Sequence, residues 1–346
     1  MNPHAKLISM ISIILGSTIT MSSNHWAFAW IGLEINTLAT IPLISKHHHP
    51  RAVEASIKYF LIQASASALM LFSSMINAWS TGQWDITQLT NPTASLLLTS
   101  AIAMKLGLAP FHFWFPEVLQ GTSLPTALLL STVIKLPPLT ILTLISQSLS
   151  PALLTTLAIT SAAVGGWMGL NQTQIRKIMA FSSISHLGWM TAIIIYNPKL
   201  TTLTFCLYVL MTTPVFLSMN TTKTTNLPTL LISWTKSPAI NASLTMTLLS
   251  LAGLPPLSGF LPKWMILQEL TIQEMTPLAL TISLLSLLGL FFYLRLMYHA
   301  TITLPPNTSN HMKTWNMNMP TNTFIAILTS LSITMLPLSP MIIPMT

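Results

Sequence analysis

Charge is nearly absent from this chain: its 346 residues include 14 Lys and Arg and 6 Asp and Glu, so only 6% are charged. An ordinary soluble domain carries about 25%, and a water-soluble globule of this size could not cover its surface with so few ions. Disordered chains are charge-rich and apolar-poor, whereas 51% of these residues are apolar and the mean hydropathy is +0.67. The composition therefore predicts an all-α polytopic membrane protein. Barrel strands alternate apolar and polar over about ten residues each, and the runs here are longer and unalternating. A helical crossing needs about 20 residues, which leaves little chain for a water-soluble catalytic domain. Cys206 is the single cysteine; alone it can neither close an internal disulfide nor hold an iron–sulfur cluster, which takes about four thiolates. Residues 1–20 lack a strongly basic start and a small-residue cleavage site and read as a first span. The net charge of +8 is scattered singly, so no nucleic-acid surface is expected.

Apolar runs predict about eleven transmembrane helices, at 3–22, 25–45, 58–80, 94–115, 125–146, 150–171, 176–196, 199–219, 238–271 (long and broken), 277–297 and 322–343. They divide a single integral membrane domain, 1–346, into N-terminal helices (1–93), a first broken-helix half (94–219) and a second (238–346). If the N-terminus lies on side A, that side receives Lys6, Lys46, Arg51, Lys58, Arg176, Lys177, Lys223, Lys236, Arg295 and Lys313, and side B only Lys199. Loop Lys and Arg favour the side from which insertion occurs, so side A is cytoplasm-like, or matrix in a mitochondrion. The odd span count puts Thr346 opposite.

Four ions do not fit the loops: Glu34, Lys105, Lys135 and Lys263 fall inside apolar runs. An ionisable side chain at the bilayer centre costs at least about 2.5 kcal/mol on insertion scales, and such residues usually mark an ion or proton path. Snorkelling of a long Lys to the interface is the bland alternative, and it weighs most at Lys263, whose depth depends on where its segment breaks. Prolines stand close by. Pro110 follows Lys105 in Gly107-Leu108-Ala109-Pro110-Phe111-His112, Pro137-Pro138 follow Lys135, and Pro255-Pro256 and Pro262 precede Lys263. Proline removes a helical hydrogen bond, and freed carbonyls within a membrane are tolerated only where protein or water satisfies them. Broken helices beside hydrated cavities are the expectation; a plain proline kink is the alternative.

Gly107–Pro116 aligns without gaps to Gly253–Pro262, matching at Gly107/Gly253, Leu108/Leu254, Pro110/Pro256 and Pro116/Pro262. The two run in opposite directions in the span map, the pattern of an inverted repeat, whose broken helices point to the functional site in secondary transporters. Lys105 aligns with Leu251 rather than Lys263. His112 and His186 could support proton relay, although an ordinary interior histidine is as good a reading. His47-His48-His49 beside Pro50 and Arg51 reads as a basic loop rather than a metal tract, and Gly166 and Gly169 do not make a nucleotide fingerprint. Glu117 is either a loop charge or part of a polar entrance. Trp26, Trp30, Trp114, Trp189 and Trp264 read as packing or interface residues.

Several stretches carry a resemblance over essentially the whole chain: Ser23-Asn24-His25-Trp26 with Trp30-Ile31-Gly32-Leu33-Glu34, Ile57-Lys58-Tyr59-Phe60-Leu61, Ala103 to Trp114, Gly169 to Ile178, and Gly253 to Trp264. Through them the sequence resembles the antiporter-like membrane-arm subunits of mitochondrial NADH–ubiquinone oxidoreductase, respiratory complex I. The resemblance implies a form shortened by three N-terminal helices relative to the bacterial fourteen-helix chain, which suits eleven spans. It also implies a glutamate paired with a lysine on the first broken helix, a central lysine, and a lysine on the second broken helix. These fall on Glu34, Lys105, Lys135 and Lys263. Leu136-Pro137-Pro138 departs from the Leu-Ala-Pro common in related chains, a change that could stiffen the helix after Lys135.

The function so implied is proton translocation across the mitochondrial inner membrane, coupled to electron transfer from NADH to ubiquinone. No cofactor is expected in this chain; NADH, FMN, iron–sulfur clusters and ubiquinone belong to partner subunits, and the remaining partners are neighbouring membrane-arm chains and lipids. From physics alone the same four ions also fit a self-sufficient cation–proton antiporter, or a scaffold with inert buried ions.

Overall fold

The computed structural model describes residues 2–46, 49–234, 237–301 and 323–339. Among them the chain is helical, with only two isolated β-bridges, His25 with Asp85 and Gln174 with Asn226. It divides into two compact units, Met1–Ser161 with Met190–Pro198 and Ala162–Trp189 with Lys199–Thr346.

The first unit opens with α1 (Pro3–Ser22) and α2 (Trp26–Ile44). Lipid tails are as apolar as leucine, so helices in a membrane associate through close backbone approach rather than hydrophobic burial. Gly16 and Gly32 provide it: a β-carbon on either would lie 2.8 Å from the other's carbonyl oxygen. Next comes α3 (Pro50–Thr81), which starts at Pro50 under a cap from the His49 imidazole and ends at Gly82. It begins eight residues before the span expected from hydropathy, because Glu54 and Lys58 are part of the helix and not of a loop. At 32 residues it is about 48 Å long, more than the roughly 30 Å of hydrocarbon.

Against α3 pack both halves of a broken helix, α4 (Pro92–Leu106) and α5 (Trp114–Gly121). The 94–115 run is therefore not continuous. The α4 helix stops at Gly107, whose φ of +75° suits glycine, three residues before the proline expected to break it. The 125–146 run is a single apolar stretch, α6 (Leu124–Ser131) and α7 (Leu136–Leu144), joined by a 3₁₀ turn at Val133–Lys135. Pro137 and Pro138 have no N–H to donate to the carbonyls of Val133 and Ile134, so regular α-helical bonding fails just ahead of them.

Both units share α8 (Pro151–Gly169) and α9 (Ile175–Ile193). The second unit adds α10 (Pro198–Thr222), the short α11 (Leu227–Ser233), a second broken helix of α12 (Pro238–Ala252) and α13 (Phe260–Ile272), then α14 (Thr276–Thr301) and α15 (Thr323–Thr334). The 277–297 span extends to Thr301, which brings Arg295 into the helix, where its guanidinium donates to the Leu170 carbonyl at 2.5 Å. Parts of the 322–343 span, with Lys236, Lys313 and Thr346, lie outside the described residues.

Among the described residues, seven helical stretches are long and apolar enough to cross a membrane: α1, α2, α3, the 124–144 stretch, α8, α10 and α14. The breaks shorten α4 and α12 to 15 residues each. Serine and threonine fit this apolar setting by donating to their own helix, as Ser73 does to Met70 and Thr247 to Leu244.

The two broken helices share a register that the ten-residue alignment did not reach. Each first half is 15 residues long and starts with proline in its first turn, at Pro92 and Pro238. Each ends at a left-handed glycine, Gly107 (φ +75°) or Gly253 (φ +81°). The second halves begin seven positions later in both, at Trp114 and Phe260.

Candidate functional site

In the first unit, the break between α4 and α5 gathers three of the four ions around it. Lys105 is the penultimate residue of α4 and 4% exposed; Lys135 lies on the 3₁₀ turn and is 2% exposed. Snorkelling is thereby excluded for both. Glu34, half-buried on α2, acts electrostatically on Lys105. Lys105 Nζ nevertheless has no hydrogen-bond partner, and neither has the buried Glu34 Oε2. The two do not bond directly.

Side chains given no site role in the sequence hold the break. Gln63, 3% exposed on α3, donates to the Lys105 carbonyl at 3.4 Å, and Trp114 Nε1 donates to the Met104 carbonyl at 3.1 Å. Both bonds satisfy carbonyls at the end of α4, where a helix has no partners of its own. Tyr59, fully buried one turn before Gln63, packs on Trp114 with ring centroids 5.8 Å apart. The Lys135 ammonium lies over the Phe115 ring, 4.0 Å from its centroid. A polar residue inside an apolar run, at helical spacing from Tyr59, was a usable signal for Gln63. Nothing in the sequence pointed to Phe115.

His112 lies in the break and is 3% exposed. Pro110 is exposed there. Glu117 is accounted for differently: its carboxylate receives a 2.7 Å bond from Lys58, which also bonds Glu54 at 2.5 Å, on the exposed side of α3. Of the histidine run, His47 and His48 lie outside the described residues, and His49 caps α3.

In the second unit, Lys263 on α13 donates to the Ala252 carbonyl at 2.8 Å, across the break and over Gly253. A cation at a helix C-terminus is favoured by the axial dipole as well as by the bond. Beside it lies a cavity of about 20 Å³ lined by Ser185, His186, Trp189, Ser286 and Tyr293. That is room for about one water, among polar groups able to bind it. Lys263 and His186 thus share a cavity, and the His186 ring also packs on Tyr208 at 5.4 Å. Pro256 is exposed in the loop between the halves. Ser258 of that loop donates to the Ser332 carbonyl on α15. Among the described residues, no three His, Cys, Asp or Glu side chains gather where a metal could be held.

Broken helices that carry lysines at their interruptions define an antiporter-like membrane protein, and residues 23–289 match the family described as NADH:quinone oxidoreductase/Mrp antiporter, TM. Residues 290–343 match the NADH dehydrogenase subunit 2 C-terminus. The ostrich (Struthio camelus) NADH-ubiquinone oxidoreductase chain 2 is 76% identical over 99% of both chains, and the chicken (Gallus gallus) chain 2 is 72% identical over 100% of both. The chain belongs to the NADH-ubiquinone oxidoreductase chain 2 family. Its fold resembles a chain of respiratory complex I from Thermus thermophilus with a TM-score of 0.84 at 25% identity, covering 97% of this chain and 80% of that one. A chain of the Mrp complex from Dietzia shares the fold alone, with a TM-score of 0.81 at 15% identity over 97% of this chain and 76% of that one.

Proposed function

We propose that this chain is a membrane-arm subunit of respiratory complex I in the mitochondrial inner membrane, taking part in proton translocation driven by electron transfer from NADH to ubiquinone. NADH, FMN, iron–sulfur clusters and ubiquinone are bound by partner subunits; neighbouring membrane-arm chains and lipids surround this one. The observation that carries the reading is the pair of buried lysines, Lys105 and Lys135, at the first break. Glu34 close to Lys105 favours the charged amine; movement of the carboxylate away releases the proton toward Lys135. His112 stands beside this step. Lys263 and His186 serve a later stage through their small polar cavity. Moving one proton against 100 mV costs about 2.3 kcal/mol, which the redox chemistry of the partner subunits supplies.

The same reading gives the chain eleven crossings as one integral membrane domain, with α4–α5 and α12–α13 as discontinuous helices of an inverted repeat hinged near Pro110 and Pro256. The N-terminus faces the matrix and the C-terminus the intermembrane space. The matched 15-residue halves and seven-residue spacing support the repeat, and the ten-to-one division of basic residues between the two sides of the span map supports the orientation. Lys105→Ala and Lys135→Ala variants of the assembled complex test the function. Protons pumped per NADH oxidised should fall while the complex still assembles; unchanged pumping in both would reject it.

A further inference from the structure

We propose that Phe115 is a positioning residue for the lysine relay, holding the Lys135 ammonium over its ring and tying that charge to the state of the first break. The inference rests on the proton-relay reading above. Phe115 is the second residue of α5 and 1% exposed, and Lys135 Nζ stands 4.0 Å from the ring centroid. At that distance the negative face of the ring attracts the cation, and the attraction grows when both are shielded from water.

The other side of Phe115 faces the end of α4. A β-carbon placed on Gly107 would lie 3.5 Å from Phe115 Cβ, in ordinary contact, and Gly107 is two residues from Lys105. Phe115 thus stands beside the C-cap glycine of the Lys105 helix, across a gap that a single methyl would fill, and carries the Lys135 ammonium on its ring face. A shift of α5 relative to α4 would change both distances together. The α3 helix fixes the far end of α5, because a β-carbon on Gly121 would lie 2.7 Å from the Arg51 carbonyl oxygen and Glu117 is held by Lys58.

The role requires an aromatic ring, not merely an apolar volume, and that distinguishes it from packing. In the assembled complex, Phe115→Leu should lower the protons pumped per NADH about fivefold, while Phe115→Tyr and Phe115→Trp retain most of the pumping. Phe115→Met repeats the ring-free test if the leucine variant fails to assemble. Combined with Lys135→Ala, Phe115→Leu should cause no further loss, since the cation it serves is gone. If Phe115→Leu and Phe115→Met pump normally while Lys135→Ala does not, the role of Phe115 is overturned and the relay stands. If the tyrosine and tryptophan variants fail as badly as leucine, the residue acts by shape alone and the proposal is again overturned. Normal pumping by Lys135→Ala instead removes the relay reading on which the inference rests.

Discussion

Gly253→Ala separates the position of Lys263 from the integrity of the fold. Gly253 has φ +81°, a conformation that costs a residue with a β-carbon about 1–2 kcal/mol. The new methyl would also lie 2.8 Å from Lys263 Nζ, 2.9 Å from Cε and 3.0 Å from Cδ. Those atoms are the far end of a flexible side chain, so the lysine swings aside and the backbone holds. What it gives up is the 2.8 Å bond to the Ala252 carbonyl, and a hydrogen bond to a charged group contributes about 1.5–3 kcal/mol. The sum is roughly 2.5–5 kcal/mol, of which the larger part concerns the placement of one ammonium. Gly82→Ala is the matched control: its φ is +73° and nothing lies within 4 Å of an added β-carbon, so only the backbone cost applies. Native electrophoresis measures assembly, and proton uptake per NADH in inner-membrane vesicles measures coupling. Gly82→Ala should pump normally; Gly253→Ala should assemble but lose most of its pumping, as should Lys263→Met. Equal behaviour of the two glycine variants in both assays would refute the reasoning.

Three further outcomes follow from the first unit. Gly16→Ala drives a methyl to 2.8 Å from the Gly32 carbonyl and against Asn36, an overpacking cost of about 1–3 kcal/mol that should reduce the complex recovered after mild heating; full recovery counts against the α1–α2 crossing. Trp114→Phe keeps the ring beside Tyr59 but removes the donor to Met104, worth about 1 kcal/mol, and should shorten the half-life of NADH-linked activity at elevated temperature. Lys58→Ala releases Glu54 and Glu117; because the pairs are exposed, any loss of heat resistance at low ionic strength should vanish at high salt, and a deficit that persists in salt contradicts a surface ion pair.

Burial cost alone singled out Glu34, Lys105, Lys135 and Lys263, because an ion inside an apolar run is visible in one dimension. The ends of helices were less visible. Lys58 looks like a loop cation on hydropathy, yet its partners Glu54 and Glu117 let α3 continue well beyond hydrocarbon length. Proline drew attention to the right places: Pro110 has no N–H for the Leu106 carbonyl, where α4 ends with Gly107 as its cap, and the turn at Lys135 precedes Pro137. A missing N–H acts on a carbonyl four residues earlier, so the deformation appears upstream of the proline. Phe115 and Trp114 were illegible because their roles depend on contacts across a chain reversal, to Lys135 and Met104, that no periodicity encodes.

The two broken helices are built to one measure but closed by different chemistry. Where α4 ends, a neutral indole from the following helix takes a carbonyl; where α12 ends, an ammonium does. An indole keeps its proton under all physiological conditions, so the first closure is indifferent to proton supply. An amine that surrenders its proton remains a donor but no longer answers the helix dipole. The second closure therefore depends on the charge of its donor, and the first does not.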